Sequence, residues 1–425
     1  MACSGTKPII KEKKEIADLA LFPQDIEFYI QNLQDDEKLT NKQREERYIR
    51  YYFNVWNNKK PRENKESTLW AFNAYTAKNG FGENLQPYDE EFFIRMKDNS
   101  NIDSYGEVSK KAITLGYTNL RVFPTNKPLF KDPTKAGEGF PFDYLQNSSI
   151  APNKPLFISH YSKDKKWVYV FSSFASGWIL STQMVILEDE HTETIQKAEL
   201  LFFTKENFAV QDKDNNFLFR SRVGMNLPIV NEEDEYYTAL AISSFKNATP
   251  QFLEVKIPKT VAQKNVLSFT KENIINIIRE VSISKYGWGG LYEERDCSSM
   301  LRDIYAPFGV WLPRNSLTQS RVGDILPLEN LTNIEKINII KEKAVPFKTL
   351  LYKQGHIVLY LGTFNDEIVV LHNYWGIRTK DENNYGRIVI GKTIISTLEI
   401  GKEQEFYNEE EGLLQGLKSL NILSL

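Results

Sequence analysis

The sequence predicts a multidomain α+β chain: a helical N-terminal segment, two small β-barrels, and a C-terminal domain in which helices pack on a sheet. Three observations carry this. The chain has 425 residues, more than one hydrophobic core ordinarily serves. From Thr118 to Ile242, short strand-like runs recur at about ten-residue spacing, the texture of small barrels. Beyond residue 263 the period becomes helical, with Ile274, Ile277, Ile278 and Val281 on one face and Leu301, Ile304, Tyr305 and Phe308 on another. Two strand-like runs, Gly355–Gly362 and Ile368–Tyr374, follow.

Taken in order, residues 1–15 are rich in Lys and Glu and read as a tether. Ile26, Tyr29, Ile30 and Leu33 make one helical face, and Tyr48, Tyr52 and Val55 another. With the Asn-, Gly- and Pro-punctuated stretch that follows, they form an N-terminal segment over 1–115. A first barrel spans 116–192, with strands around Arg121, Leu156–His160, Trp167–Phe171 and Ser176–Ile179. A second spans 193–262, with Ala198–Phe203, Asn216–Arg220, Leu227–Val230 and Glu235–Ile242. The last domain spans 263–425. Residues 325–346 are assigned no function there, and Leu413, Leu414 and Leu417 predict a closing helix.

Composition narrows the function. There are 53 Lys and Arg against 56 Asp and Glu, so no basic excess points to nucleic acid. No apolar run reaches the roughly 18 residues of a membrane span. His160 and His191 have no partners at ligand spacing and read as structural, so neither metal nor cofactor is expected. The two cysteines, Cys3 and Cys297, do not read as a disulfide.

Cys297 stands out. Asp296 before it is a good N-cap, which puts Cys297 in the first turn of the second helix. Unpaired N–H groups and the helix dipole there favour thiolate and predict a lowered thiol pKa. The turn Gly287-Trp288-Gly289-Gly290 leads into it and lets backbone or substrate come close. A nucleophilic cysteine needs a base and a group to orient that base. A hairpin folded about Phe364 supplies both, because it sets His356 directly opposite His372 on one face.

The run Tyr-x-Trp-Gly-Gly…Asp-Cys-Ser, then Leu-Pro-Arg-Asn-Ser-x-x-Gln, then Gly-His-Ile-x-Leu-Tyr-Leu-Gly and a later His, resembles the NlpC-type cell-wall cysteine peptidases over residues 265 to 400. The resemblance implies a papain-like α+β domain that hydrolyses peptidoglycan stem peptides. Cys297 would be the nucleophile, His356 the base, His372 its orienting partner and Tyr286 an oxyanion donor. Asp296 and Ser298 match positions that hold the free amine of an N-terminal L-Ala in members that cleave after D-Glu. Trp288 joins the substrate-binding set. The interval from Trp-Gly-Gly to Cys is one residue short, and the two histidines are spaced more widely than the family usually has them. An even insertion keeps both histidines on one face. Arg314 is a candidate for a substrate carboxylate or for a structural pair with an acid of its own domain.

Gly177-Trp178-Ile179 resembles the Gly-Trp pair of bacterial SH3-like domains. The whole order resembles murein lysins with an N-terminal clip segment, two SH3-like barrels and an NlpC-type domain. In such enzymes the first barrel borders the cleft, and Asp143 and Tyr144 in its long loop would close the site. The expected substrate is L-Ala-γ-D-Glu-diamino acid, cut after γ-D-Glu, with preference for stems bearing a free L-Ala. A non-catalytic wall-binding protein, or an amidase or acyltransferase on the same fold, is the alternative. Met1-Ala2-Cys3-Ser4-Gly5 resembles a lipoprotein junction, which implies a place in the cell envelope or periplasm, anchored through lipid at Cys3; a monomer is expected. The alternative is a cytoplasmic enzyme with an incidental Cys3.

Overall fold

The computed structural model describes residues 15–33, 38–135, 138–243, 249–382 and 384–425. Cys3 and nearly all of the tether lie outside the described residues. Among the described residues no helix is long and apolar enough to cross a membrane.

The N-terminal segment serves the domain at the far end of the chain. Ile26, Tyr29, Ile30 and Leu33 do not form one helix. They lie on and beside two short 3-10 turns, Ile26–Phe28 and Ile30–Asn32, closed by bonds from Tyr29 N to Ile26 O and from Leu33 N to Ile30 O. All four side chains are nonetheless buried in the core of the C-terminal domain. The Gln24 side chain acts as a one-residue strand on Asn384–Thr397, the edge of the last sheet. It accepts from Ile395 N at 3.0 Å and donates to Ile395 O at 2.9 Å. Asp18 accepts from Thr397 N at 2.6 Å. Helix Asn41–Tyr52 starts in a Thr40–Gln43 capping box. Its buried Arg44 crosses to donate to Phe308 O at 3.0 Å.

The first barrel is a seven-stranded antiparallel sheet in the order Gln146–Ile150, Thr118–Arg121, Ser176–Leu180, Trp167–Phe171, Pro155–Tyr161, Lys110–Thr114, Met184–Ile186. Lys110–Thr114, which the expected boundary at 116 leaves outside, is paired on both sides within this sheet. His160 is buried here, bonded to Ser100 O and Ser159 Oγ, both at 3.0 Å. The second barrel has five strands from Leu200 to Lys264, with a two-stranded ribbon, Ala209–Gln211 and Phe217–Arg220.

The C-terminal domain is a six-stranded antiparallel sheet in the order Asp324–Pro327, Leu417–Ile422, Thr349–Lys353, His356–Phe364, Glu367–Asp381, Asn384–Thr397. Helices Lys271–Ser282 and Cys297–Tyr305 bury Ile277, Ile278, Leu301 and Ile304 against Ile357, Leu359 and Leu371 on one face. Of residues 325–346, the first three end the strand Asp324–Pro327 and the rest cover the other face, where Ile340 of helix Asn333–Lys343 meets Val358, Tyr360 and Leu414. The tail is a correction. Leu417–Ile422 is a central strand rather than a helix, hydrogen-bonded to both neighbours. Leu413, Leu414 and Leu417 are buried as expected, but the ladder, not helical propensity, decides the backbone.

The hairpin register is a second correction. The turn is Asn365-Asp366, both left-handed at φ 51° and 66°, a geometry suited to a two-residue hairpin loop. Phe364 therefore faces Glu367. A bulge between Tyr360 and Gly362 then brings Tyr360 opposite Val370 and Leu359 opposite Leu371. His356 and His372 are not direct cross-strand partners.

Candidate active site

Continuing the observed ladder sets His356 across from Tyr374, two residues from His372. That keeps both histidines on one face as a diagonal pair, within reach of long side chains. Their ring centroids are 5.1 Å apart, and His356 Nε2 lies 2.8 Å from His372 Nδ1. His372 Nε2 lies 2.9 Å from Ser396 Oγ, and Ser396 donates to Thr397 O at 2.9 Å. This chain assigns the protons. The carbonyl only accepts, so the Ser396 hydroxyl hydrogen is committed to it and Ser396 Oγ accepts from His372 Nε2–H. His372 Nδ1 is then bare and accepts from His356 Nε2–H, which leaves His356 Nδ1 with a free lone pair.

Cys297 opens its helix, with Asp296 as N-cap accepting from Ser299 N at 2.8 Å. Cys297 is buried, and the backbone N–H groups of Ile357, the residue after His356, and of Ser298 act to lower its thiol pKa. The expected low thiol pKa is not observed. Burial first, and then the Asp296 carboxylate, push the Cys297 thiol up to about 12, outweighing the helix end. Burial, followed by the charge of Lys353, lowers His356 to about 3. His372 is held well below its ordinary value by burial and by His356. Near neutral pH the thiol and both imidazoles are therefore uncharged at rest.

Tyr286 and Trp288 line a cleft of about 230 Å³ together with His356, Phe142 and Tyr144. The Tyr286 phenol is raised well above its usual pKa by burial, then by Cys297 and Asp296 beside it. It therefore stays a hydrogen-bond donor. The first barrel forms one wall. Trp288 Nε1 donates to Asp143 O at 2.9 Å, and Gln146 Nε2 to Gly289 O at 3.2 Å. Gly289 and Gly290 both have positive φ. A Cβ on the first would fall 2.6 Å from Gln146 O, and on the second 2.3 Å from Ser149 Oγ. Close approach of the barrel is thus the physical reason for the paired glycines.

Several expected contacts differ. Of the two roles expected for Arg314, the structure forms the structural pair with an acid of its own domain. Its Nη2 and Nη1 bond Asp296 at 2.7 and 3.2 Å, its Nη1 also meets Ser298 Oγ at 3.1 Å, and its Nε meets Ser148 Oγ at 2.7 Å. Asp296 and Ser298 are therefore engaged by a guanidinium where a substrate ammonium was expected. Burial would raise the Asp296 pKa, but Arg314 keeps it below the usual value. The Asp143 carboxylate also points away from the cleft. It bonds Arg121 Nη1 at 2.7 Å and accepts from Leu129 N and Leu145 N at 2.9 Å, so only its carbonyl reaches the wall. Tyr144 does line the cleft, donating to Glu138 at 3.2 Å.

Sequence reasoning missed Ser396, 24 positions beyond His372 in the chain and joined to it only across the sheet. It also missed the ionic hub beneath the Cys297 helix. Buried Asp303 accepts from Arg222 Nε and Arg295 Nε, both at 2.9 Å, and from Arg302 Nη2 at 3.1 Å. Arg295 also pairs with Glu206 of the second barrel at 2.7 Å. Arg302 adjoins Asp303 in sequence, but Arg222 and Glu206 come from the second barrel and no local spacing announces them.

Comparison with known proteins agrees with this architecture. Residues 1–105 match the NLPC_P60 stabilising domain (N term), 128–180 an SH3 domain of SH3b1 type, 188–233 an SH3 domain of SH3b2 type, and 284–386 the NlpC/P60 family. Curated protein sequences give no match. Among solved structures, an NlpC/P60 endopeptidase from Photobacterium damselae subsp. piscicida is similar at 23% identity and TM-score 0.83, over 95% of this chain and 97% of that one. An NlpC/P60 family protein from Bacillus cereus ATCC 10987 is similar at 14% identity and TM-score 0.51, over 74% of this chain and 100% of that one. The chain thus carries an NlpC/P60 domain, with an N-terminal stabilising domain and two SH3-type barrels ahead of it.

Proposed function

We propose that this chain is a cysteine peptidase of the cell envelope that hydrolyses peptidoglycan stem peptides at the bond between γ-D-Glu and the diamino acid. The observation that supports it best is the hydrogen-bonded series His356–His372–Ser396–Thr397, which leaves one imidazole lone pair free on the strand whose next residue, Ile357, shares a core with the helix-start Cys297. His356 Nδ1 takes the Cys297 proton as sulfur attacks the amide carbon. Tyr286 and the Cys297 backbone N–H meet the oxyanion, each worth roughly 3–4 kcal/mol. His356 then protonates the leaving amine, and water hydrolyses the thioester.

Preference for stems with a free L-Ala belongs to this proposal on a different footing. Asp296 is already neutralised by Arg314, so an incoming ammonium gains little there. The preference is steric instead: the first barrel closes one side, and a cleft of about 230 Å³ suits a short peptide rather than a glycan-linked one. Digestion of free L-Ala-γ-D-Glu-diaminopimelate and of sugar-linked stems, followed by mass spectrometry, tests both statements. Release of L-Ala-γ-D-Glu is expected, faster from the free stem. Cleavage elsewhere removes the bond assignment, and equal rates remove the preference.

The pH profile follows from the lowered imidazole. His356 accepts a proton only when neutral, and with its pKa moved from 6.5 down to about 3 the neutral form persists well into acid. No acid limb in kcat/KM is expected near pH 6.5; the loss should come below about pH 4. A limb between 6 and 7 would instead indicate a thiolate–imidazolium resting pair.

A further inference from the structure

We propose that Arg387 binds a carboxylate of the stem peptide; this deepens the peptidase reading and rests on it. Arg387 and Arg378 are direct cross-strand partners in the long hairpin beside the cleft, and like charges facing each other across strands are unfavourable. Arg378 is compensated by Glu411 at 3.1 Å, which Lys353 shares at 3.5 Å. Among the described residues no carboxylate pairs with Arg387, and its Nε is buried with no hydrogen-bond partner. The guanidinium is nonetheless held in place, 5.8 Å from the centre of the Phe142 ring of the first barrel, and it lines the same cleft as His356 and Tyr286.

A buried N–H without an acceptor is costly, and a second cation directly opposite adds to that cost. One incoming carboxylate removes both penalties, because the planar edge of a guanidinium takes two oxygens at once. The cleft favours such a guest. Its three cations, Lys353, Arg378 and Arg387, face two acids, Glu138 and Glu411, and each acid already accepts a bond. A stem peptide offers the carboxylate from two sources, the α-carboxylate of γ-linked D-Glu and the carboxylates of the diamino acid.

The test is calorimetric titration of the full-length Cys297→Ala protein with L-Ala-γ-D-Glu-meso-diaminopimelate. Adding Arg387→Met is expected to weaken binding about 10- to 100-fold, and Arg387→Lys to restore only part of it. Two analogues, one amidated at the D-Glu α-carboxyl and one at the diamino acid, identify the source. The analogue that binds with and without Arg387 alike lacks the carboxylate that Arg387 reads. If both analogues still lose the full factor on Arg387→Met, or if the parent peptide loses nothing, the assignment is overturned. Removing one of two facing cations is expected to leave Tm unchanged or raised; a fall of several degrees would mark Arg387 as structural and overturn it too. The two readings separate cleanly. Cleavage by the native chain with unchanged binding on Arg387→Met overturns this assignment alone. If no stem is cleaved, glutarate still probes the site: a shift of the Arg387 Nε–H resonance supports it, and no shift overturns it.

Discussion

Cys297→Ala is expected to abolish turnover of stem peptides, with a loss of about 10⁴-fold or more in kcat, while binding of the same peptide persists. The buried thiol touches both strand and helix core, yet the change removes only one sulfur. Its effect on stability should stay within about 1–2 kcal/mol, small beside the catalytic loss. The pair of measurements separates the two classes of function. A wall-binding protein with an inert domain would show no turnover to lose. Cys297→Ser should be similarly inactive, because a serine hydroxyl in the same buried site is harder still to deprotonate. Turnover within tenfold of the native chain in either variant would remove Cys297 from the chemistry.

The second large effect concerns stability. Asp303 is one buried carboxylate holding three guanidinium groups, two from the C-terminal domain and Arg222 from the second barrel. Asp303→Leu leaves those cations facing one another without water, and breaking such a buried network costs about 3–5 kcal/mol. The first thermal transition should fall by roughly 10 °C. Burial raises the Asp303 pKa, but Arg222, Arg302 and Arg295 outweigh it and hold the group far below 3.8. The sign follows. The contribution is complete above the ordinary carboxylate range and is lost as pH falls through the depressed folded value. Native protein should therefore lose stability below about pH 4 more steeply than the Leu variant. Parallel acid titrations of the two would contradict this.

Much of this was legible in the chain itself. Periodicity placed the Lys271–Ser282 and Cys297–Tyr305 helices, and Asp296 announced its own cap. Side-chain alternation put His356 and His372 on one face even though the turn was assigned to the wrong residue. The parity survived because turn and bulge together moved the register by an even number. What stayed hidden depends on long-range contact. Arg314 could not be divided between substrate and Asp296 before Ser148 was known to lie beside it. The burial that reverses the expected thiol shift comes from a core completed by sheet residues such as Ile357 and Leu371, far along the chain. The tail read as helix because its leucine spacing suits either backbone until strand partners exist on both sides.

The Gln24 and Asp18 contacts on Asn384–Thr397 have a consequence for solution behaviour. An uncovered edge strand is a template for another chain, and side chains that occupy its ladder groups act as a plug. A fragment starting at residue 263 would expose Ile395 and Thr397 and recruit copies of itself, edge to edge, into insoluble material. The short stretch around Asp18 and Gln24 would then act as a built-in solubiliser for a domain that begins more than two hundred positions later.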